Sequence, residues 1–180
     1  MAVSTDVVTE AAFDGGALVR AVDRQRIGAD LRWTGVAVEL TAQSADPRER
    51  IGDHDVCPGA LVRTVKRQTM SCQYALMLLR WLDRVPEHFL VAPARAATDR
   101  LPDAGPHQRL LWDLASLHRS LDEKRTGSAM TWVELGERLG CSPSRLTNLR
   151  QARQADMDLV MRCVLWLGVP STDFIHASES

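Results

Sequence analysis

Residues 131–149 read TWVELGERLGCSPSRLTNL, and RQARQ carries the run on to residue 154. Two short helices and a tight turn can be read from this stretch. Thr131 followed by Glu134 has the form of a capping box, in which side chain and backbone N–H satisfy each other reciprocally at a helix start. A helix is therefore expected from about residue 132, with Leu135 and Leu139 as its apolar stripe. Gly140 stands where a left-handed residue commonly ends a helix. Ser142 then offers an N-cap, and Pro143 a first helical residue whose missing N–H would have lacked a partner anyway. Leu146 and Leu149 give this second helix its buried face. Between 140 and 154 there are three arginines, Arg145, Arg150 and Arg153, and no acid, in a chain of net charge −1.

The helical reading extends on both sides. QRLLWDLASLHRSLDEKR (108–125) places Leu110, Leu114, Leu117 and Leu121 on one face at steps of three and four, which predicts a helix. Asp156 can cap a further helix that ends at Gly168, and Ser171 or Thr172 opens a final turn that inserts Phe174 into the core.

A weaker copy of the pattern lies upstream. Pro58, Leu61, Trp81, Leu82 and Phe89 match Pro143, Leu146, Trp166, Leu167 and Phe174 at a constant offset of 85. Trp33, Val36, Ala37 and Leu40 match Trp132, Leu135, Gly136 and Leu139 at an offset of 99. The change of offset is an insertion in the first copy, the polar segment 41–55, broken by Pro47 and Gly52 as a loop should be. In that copy Arg32 replaces the capping threonine and Cys57 the capping serine. Gly59, within its second helix, weakens helicity. Residues 91–107, VAPARAATDRLPDAGPH, have three prolines and no helical period and read as a linker. The expected organisation is a degenerate domain at 14–90, a linker at 91–107 and a second domain at 108–176.

Two short helices joined by a tight turn, the second capped and basic, are the layout of a helix-turn-helix. Residues 131–149 resemble the helix-turn-helix of the lambda-repressor-like (XRE) family of bacterial DNA-binding proteins. The likeness rests on Leu135, the small Gly136 at the helix crossing, Leu139, the turn glycine Gly140, the small Cys141, Ser142, Leu146 and Leu149. It covers nearly all of 108–176, and through the repeat it extends more faintly to the first copy. Trp132 departs from the glutamine that many relatives carry there for a DNA phosphate, and is expected to pack in the core.

The resemblance implies an all-α fold of two tandem lambda-repressor-like helical bundles joined by a proline-containing linker. It implies a transcriptional regulator, a repressor acting by promoter occupancy, with the helix after Ser142 in the major groove of double-stranded DNA. Ser142, Ser144, Arg145, Thr147, Asn148, Arg150 and Arg153 are then the DNA-binding candidates. Asn pairs bidentately with adenine and Arg with guanine, while Arg150 and Arg153 suit phosphates, which position without reading sequence. On the first copy the matching candidates are Arg63, Lys66 and Arg67. A homodimer is common in the family. The alternative is a protein-interaction module on the same scaffold, an antitoxin or an adaptor for another regulator, with the first copy as the partner surface.

Other function classes find little support. The chain has the 45% hydrophobic and 25% charged residues of an ordinary soluble globular protein, and no run of the ~18 apolar residues that a membrane helix needs. MAVSTDVVTEAAFDGG lacks the form of a signal peptide, so a cytoplasmic protein is expected. Cys57, Cys72, Cys141 and Cys163 form no CxxC and are read as buried reduced thiols, with no metal or cofactor expected. The acidic DHD at 53–55 reads as solvated loop. His107 and His118 have no evident catalytic partner, His88 and His176 read as surface residues, and Trp81 and Trp166 are assigned to the core. No enzyme is expected.

Overall fold

The computed structural model describes residues 12–43, 70–105 and 108–178. The insertion beyond Gln43, with its DHD, therefore lies outside the described residues, as do Cys57, Pro58, Gly59, Leu61 and His107. Within them the chain is mostly helical. The first half holds α1 (Gly15–Gly28), α2 (Trp33–Ala42), α3 (Cys72–Leu82) and a 3-10 turn at Pro86–Phe89. The second half runs β1 (Leu110–Trp112), α4 (Leu114–Gly127), α5 (Trp132–Leu139), α6 (Pro143–Asn148), a 3-10 turn at Leu149–Gln151, α7 (Met157–Leu167), a 3-10 turn at Ser171–Phe174 and β2 (Ile175–Ala177). No helix among the described residues is long and apolar enough to cross a membrane.

The all-α expectation needs one correction. The helix predicted over 108–125 begins only at Leu114, because Asp113 caps it by accepting from the backbone N–H of Ser116 at 2.8 Å. That cap releases Leu110–Trp112 to pair antiparallel with Ile175–Ala177. Leu110 and Trp112 still point inward and are buried, but at a strand's period of two and not a helix's. The tryptophans also need correcting. Trp81, Trp132 and Trp166 are half-buried and lie against the core's edge. Trp81 donates its indole N–H to Glu39, and Lys124 sits over the Trp166 ring. Trp81 thereby satisfies its indole N–H, and the rings of Trp132 and Trp166 each carry a cation that must keep its contact with water.

The two halves repeat one set of contacts. Asp14 caps α1 as Asp113 caps α4. Arg26 pairs with Asp23, donates to the Leu31 carbonyl and lies 4.8 Å over Trp33. Arg125 does the same with Asp122, Met130 and Trp132, again at 4.8 Å. The backbone N–H of Asp14 donates to Phe89, and that of Asp113 to Phe174, both at 2.8 Å. Each pair of contacts obeys the offsets read from the sequence.

The halves meet about a local pseudo-twofold axis. The N–H of Cys72 donates to Ala155 at 2.7 Å, and the N–H of Met157 donates to Met70 at 2.9 Å, so Ser71 and Asp156 face each other as equivalents. α3 packs on α7 and on β1, and one continuous apolar core runs through both halves. Side chains reinforce the joint. Asp158 accepts from the backbone N–H groups of Ala12 and Phe13, and Glu87 accepts from the N–H and hydroxyl of the buried Ser171. The linker region is tied down as well. Arg80 donates to the carbonyls of Gln108, Ala104 and Gly105.

Candidate nucleic-acid interface

The pair α5–α6 is built by four leucines and two glycines. Leu135, Leu139, Leu146 and Leu149 are each at most 1% exposed, and burying a leucine stabilises by about 1.5–3 kcal/mol. Gly136 sits where the helices cross, and a Cβ there would stand 2.7 Å from the Cys141 carbonyl oxygen. That contact is too short for any side chain, so the crossing requires glycine. Gly140 takes φ 63°, the left-handed conformation that ends α5 and turns the chain. The N–H of Cys141 then donates to the freed carbonyl of Gly136 at 2.9 Å.

Caps and a cation hold the ends. Thr131 and Glu134 form the expected capping box, with bonds of 2.6 and 3.2 Å. The Thr131 backbone N–H and hydroxyl, donating to the Glu134 carboxylate at 2.6 and 2.8 Å, hold that carboxyl below the ordinary carboxylate range. Arg162 of α7 pairs with Asp158 at 2.7 Å and donates to the last carbonyl of α5, that of Leu139, at 3.0 Å. His118 stacks on Trp132, with ring centroids 5.1 Å apart. Partial burial lowers its pKa, and the charges of Arg150 and Arg125 push the same way against Asp122.

Ser142 differs from expectation. It occupies the N-cap position of α6, with Pro143 following, but its side chain makes no capping hydrogen bond. Its hydroxyl lies instead 3.1 Å from that of Ser144. Proline at the first helical position already removes one orphan N–H.

Of the candidates on this stretch, Ser142, Ser144, Arg145, Thr147, Asn148, Arg150 and Arg153 are all exposed. Ser144, Arg145, Thr147 and Asn148 lie on α6 around the buried Leu146. Arg150 belongs to the 3-10 turn that continues it, and Arg153 lies beyond that turn, off the helix. Thr147 spends its hydroxyl proton on the Ser144 carbonyl. Among the described residues the side chains of Arg145, Asn148, Arg150 and Arg153 make no hydrogen bond or ion pair, and no acid stands between Gly140 and Ala155. Asp156, the nearest acid downstream, is occupied in capping α7. Two exposed amides that the sequence reading passes over, Gln151 and Gln154, continue this acid-free run. Their residue type was the available signal, since Gln, like Asn, pairs with adenine. Arg63, Lys66 and Arg67 lie outside the described residues.

The described cysteines carry no reactive chemistry into the site. Burial raises the Cys72 thiol to about 11 and lifts Cys141 and Cys163 as well, so all three stay protonated at neutral pH and are weak nucleophiles. No family model matches the chain, and no curated protein or solved structure does.

Proposed function

We propose that the protein is a sequence-specific DNA-binding regulator, in which α5–α6 is a helix-turn-helix and α6 enters the major groove. The observation that carries this reading is the exposed face of α6 and its extension. It presents guanidinium and amide groups that nothing in the described chain pairs, on a scaffold whose leucines and Gly136 are committed to holding it. An arginine face with only a solubilising role has no need of a capped, glycine-crossed platform. Arg145 and Asn148 are assigned to base edges, Ser144 and Thr147 to bases or phosphates, and Arg150 and Arg153 to phosphates.

The reciprocal bonding of Ser71 and Asp156 supports an intramolecular pseudo-dimer. The two halves are lambda-repressor-like bundles related by this axis, and one chain would address two half-sites about one helical turn (~34 Å) apart. The mechanism is occupancy of a promoter by a non-catalytic cytoplasmic repressor.

Selection from random duplex DNA at stated salt tests this reading, since phosphate-driven affinity falls steeply with salt. Enrichment of a motif is expected, and Asn148→Ala or Arg145→Ala should each weaken binding to it by ~10-fold or more. Failure to enrich any sequence, with unchanged weak binding by both variants, would reject the reading and direct attention to a protein partner of the same scaffold.

A further inference from the structure

A groove of about 730 Å³ opens on the first half, away in sequence from α6. Its walls are the C-terminal half of α1, the end of α3 and the 3-10 turn at Pro86–Phe89. Ala21, Leu82 and Phe89 give it an apolar floor, with Arg24, Arg84 and His88 around it. No acid lines it. Arg24, Arg84 and His88 are exposed, and their side chains make no hydrogen bond or ion pair among the described residues. Of the neighbouring acids, Asp23 pairs with Arg26 and Glu87 with Ser171, while the exposed Asp30 and Asp83, beside Ala29 and Arg84 in sequence, are not among the groove's lining residues. The volume lies in the range of small-molecule sites, roughly 300–1,000 Å³, which pair apolar walls with a few polar groups.

The internal repeat supplies the control that a single surface lacks. At the equivalent positions the second half keeps the apolar residues, Leu167 for Leu82 and Phe174 for Phe89. It replaces the polar ones: Glu123 stands for Arg24, Val169 for Arg84 and Asp173 for His88. The scaffold contacts are the same in both halves. Gln25 donates to the Trp81 carbonyl, and its counterpart Lys124 donates to the Trp166 carbonyl. A scaffold that accepts acids or an aliphatic at these positions does not need the cations for folding.

We propose that this groove binds a small organic anion, a carboxylate or phosphate monoester with an apolar body. The guanidiniums would hold the anion by charge-assisted hydrogen bonds, which Arg forms in a planar, bidentate geometry. The His88 ring adds a donor, and Leu82 and Phe89 receive the apolar part. The inference does not rest on the DNA reading.

Phenyl phosphate is a suitable probe, with inorganic phosphate and phenol as its charged and apolar halves. Calorimetry on the full chain at low salt should find one site that prefers phenyl phosphate to either half by ~10-fold. The triple variant R24E/R84V/H88D installs the residues that the second half already accommodates. It should lose that binding while keeping the wild-type melting temperature. If the triple variant proves unstable, Arg84→Val alone and amide shifts of the wild type serve instead, with shifts expected at Ala21, Gln25, Ala29 and Phe89. Three results would overturn the proposal: no binding by the wild type at ~10 mM, equal binding by a folded variant, or shifts centred elsewhere. Weaker binding of a random duplex by the variant, without phenyl phosphate saturation, would assign the cations to the DNA backbone and overturn it too.

Discussion

At the scale of single residues, Gly136 is the most constrained position of the α5–α6 pair. Added bulk meets backbone, the Cys141 carbonyl oxygen at 2.7 Å, and backbone cannot rotate aside as a flexible side chain can. Gly136→Ala is expected to destabilise by on the order of 1–3 kcal/mol, as overpacked sites do, read as a shift in urea midpoint. Gly28 and Gly127 make the contrast, since a Cβ at either meets nothing within 4 Å. The sequence marks Gly136 as small at a crossing, but only the distance explains why alanine would not do there. Ala37, its equivalent in the first half, is buried on α2. The same position thus carries a methyl where the helix runs on to Ala42.

At the scale of elements, helix starts differ in how much their caps contribute. Asp156 accepts from two backbone N–H groups of α7, those of Asp158 and Leu159. Ser142, in the equivalent place on α6, accepts from none. Asp156→Ala should therefore cost about 1 kcal/mol of stability, while Ser142→Ala stays within ~0.5 kcal/mol of wild type, both measured by chemical denaturation. A similar loss for the two would mean that Ser142 caps α6 in solution. Residue type alone does not separate them, because Ser and Asp have near-equal propensity at an N-cap. What separates them is the partner each side chain takes: the Asp156 carboxylate reaches two N–H groups, whereas the Ser142 hydroxyl, ahead of a proline, lies against that of Ser144. The strand pair is another case. Leu110 fits a helical face by spacing, and Asp113, whose carboxylate captures the Ser116 N–H, decides that the helix starts later.

At the scale of the whole molecule, the halves are joined through polar as well as apolar contacts. Glu87 satisfies the N–H of Ser171, which is fully buried, and Asp158 satisfies two N–H groups of the first half while pairing with Arg162 of its own helix. With one core across the joint, heat or urea should unfold the chain in a single transition seen alike by tryptophan fluorescence and far-ultraviolet circular dichroism. Glu87→Ala leaves a buried donor unpaired, a cost of about 1–3 kcal/mol, and should lower the midpoint of that one transition. Two separated transitions would instead indicate halves that fold independently.

The sequence by itself determined the α5–α6 pair, its capping box, its glycine-ended turn and the acid-free arginine run, because these depend on neighbours within a few residues. It also carried the register of the repeat, since equal offsets of tryptophan and phenylalanine survive divergence of the surface. The tertiary structure decided what depends on distant partners: the β1–β2 pairing, the half-burial of Trp81, Trp132 and Trp166, and the joining of two repeats about Ser71 and Asp156. It also decided that Arg24, Arg84 and His88, from separate elements, share one groove. Local patterns follow from chain geometry, whereas these features follow from which surfaces remain to be covered once the helices have formed.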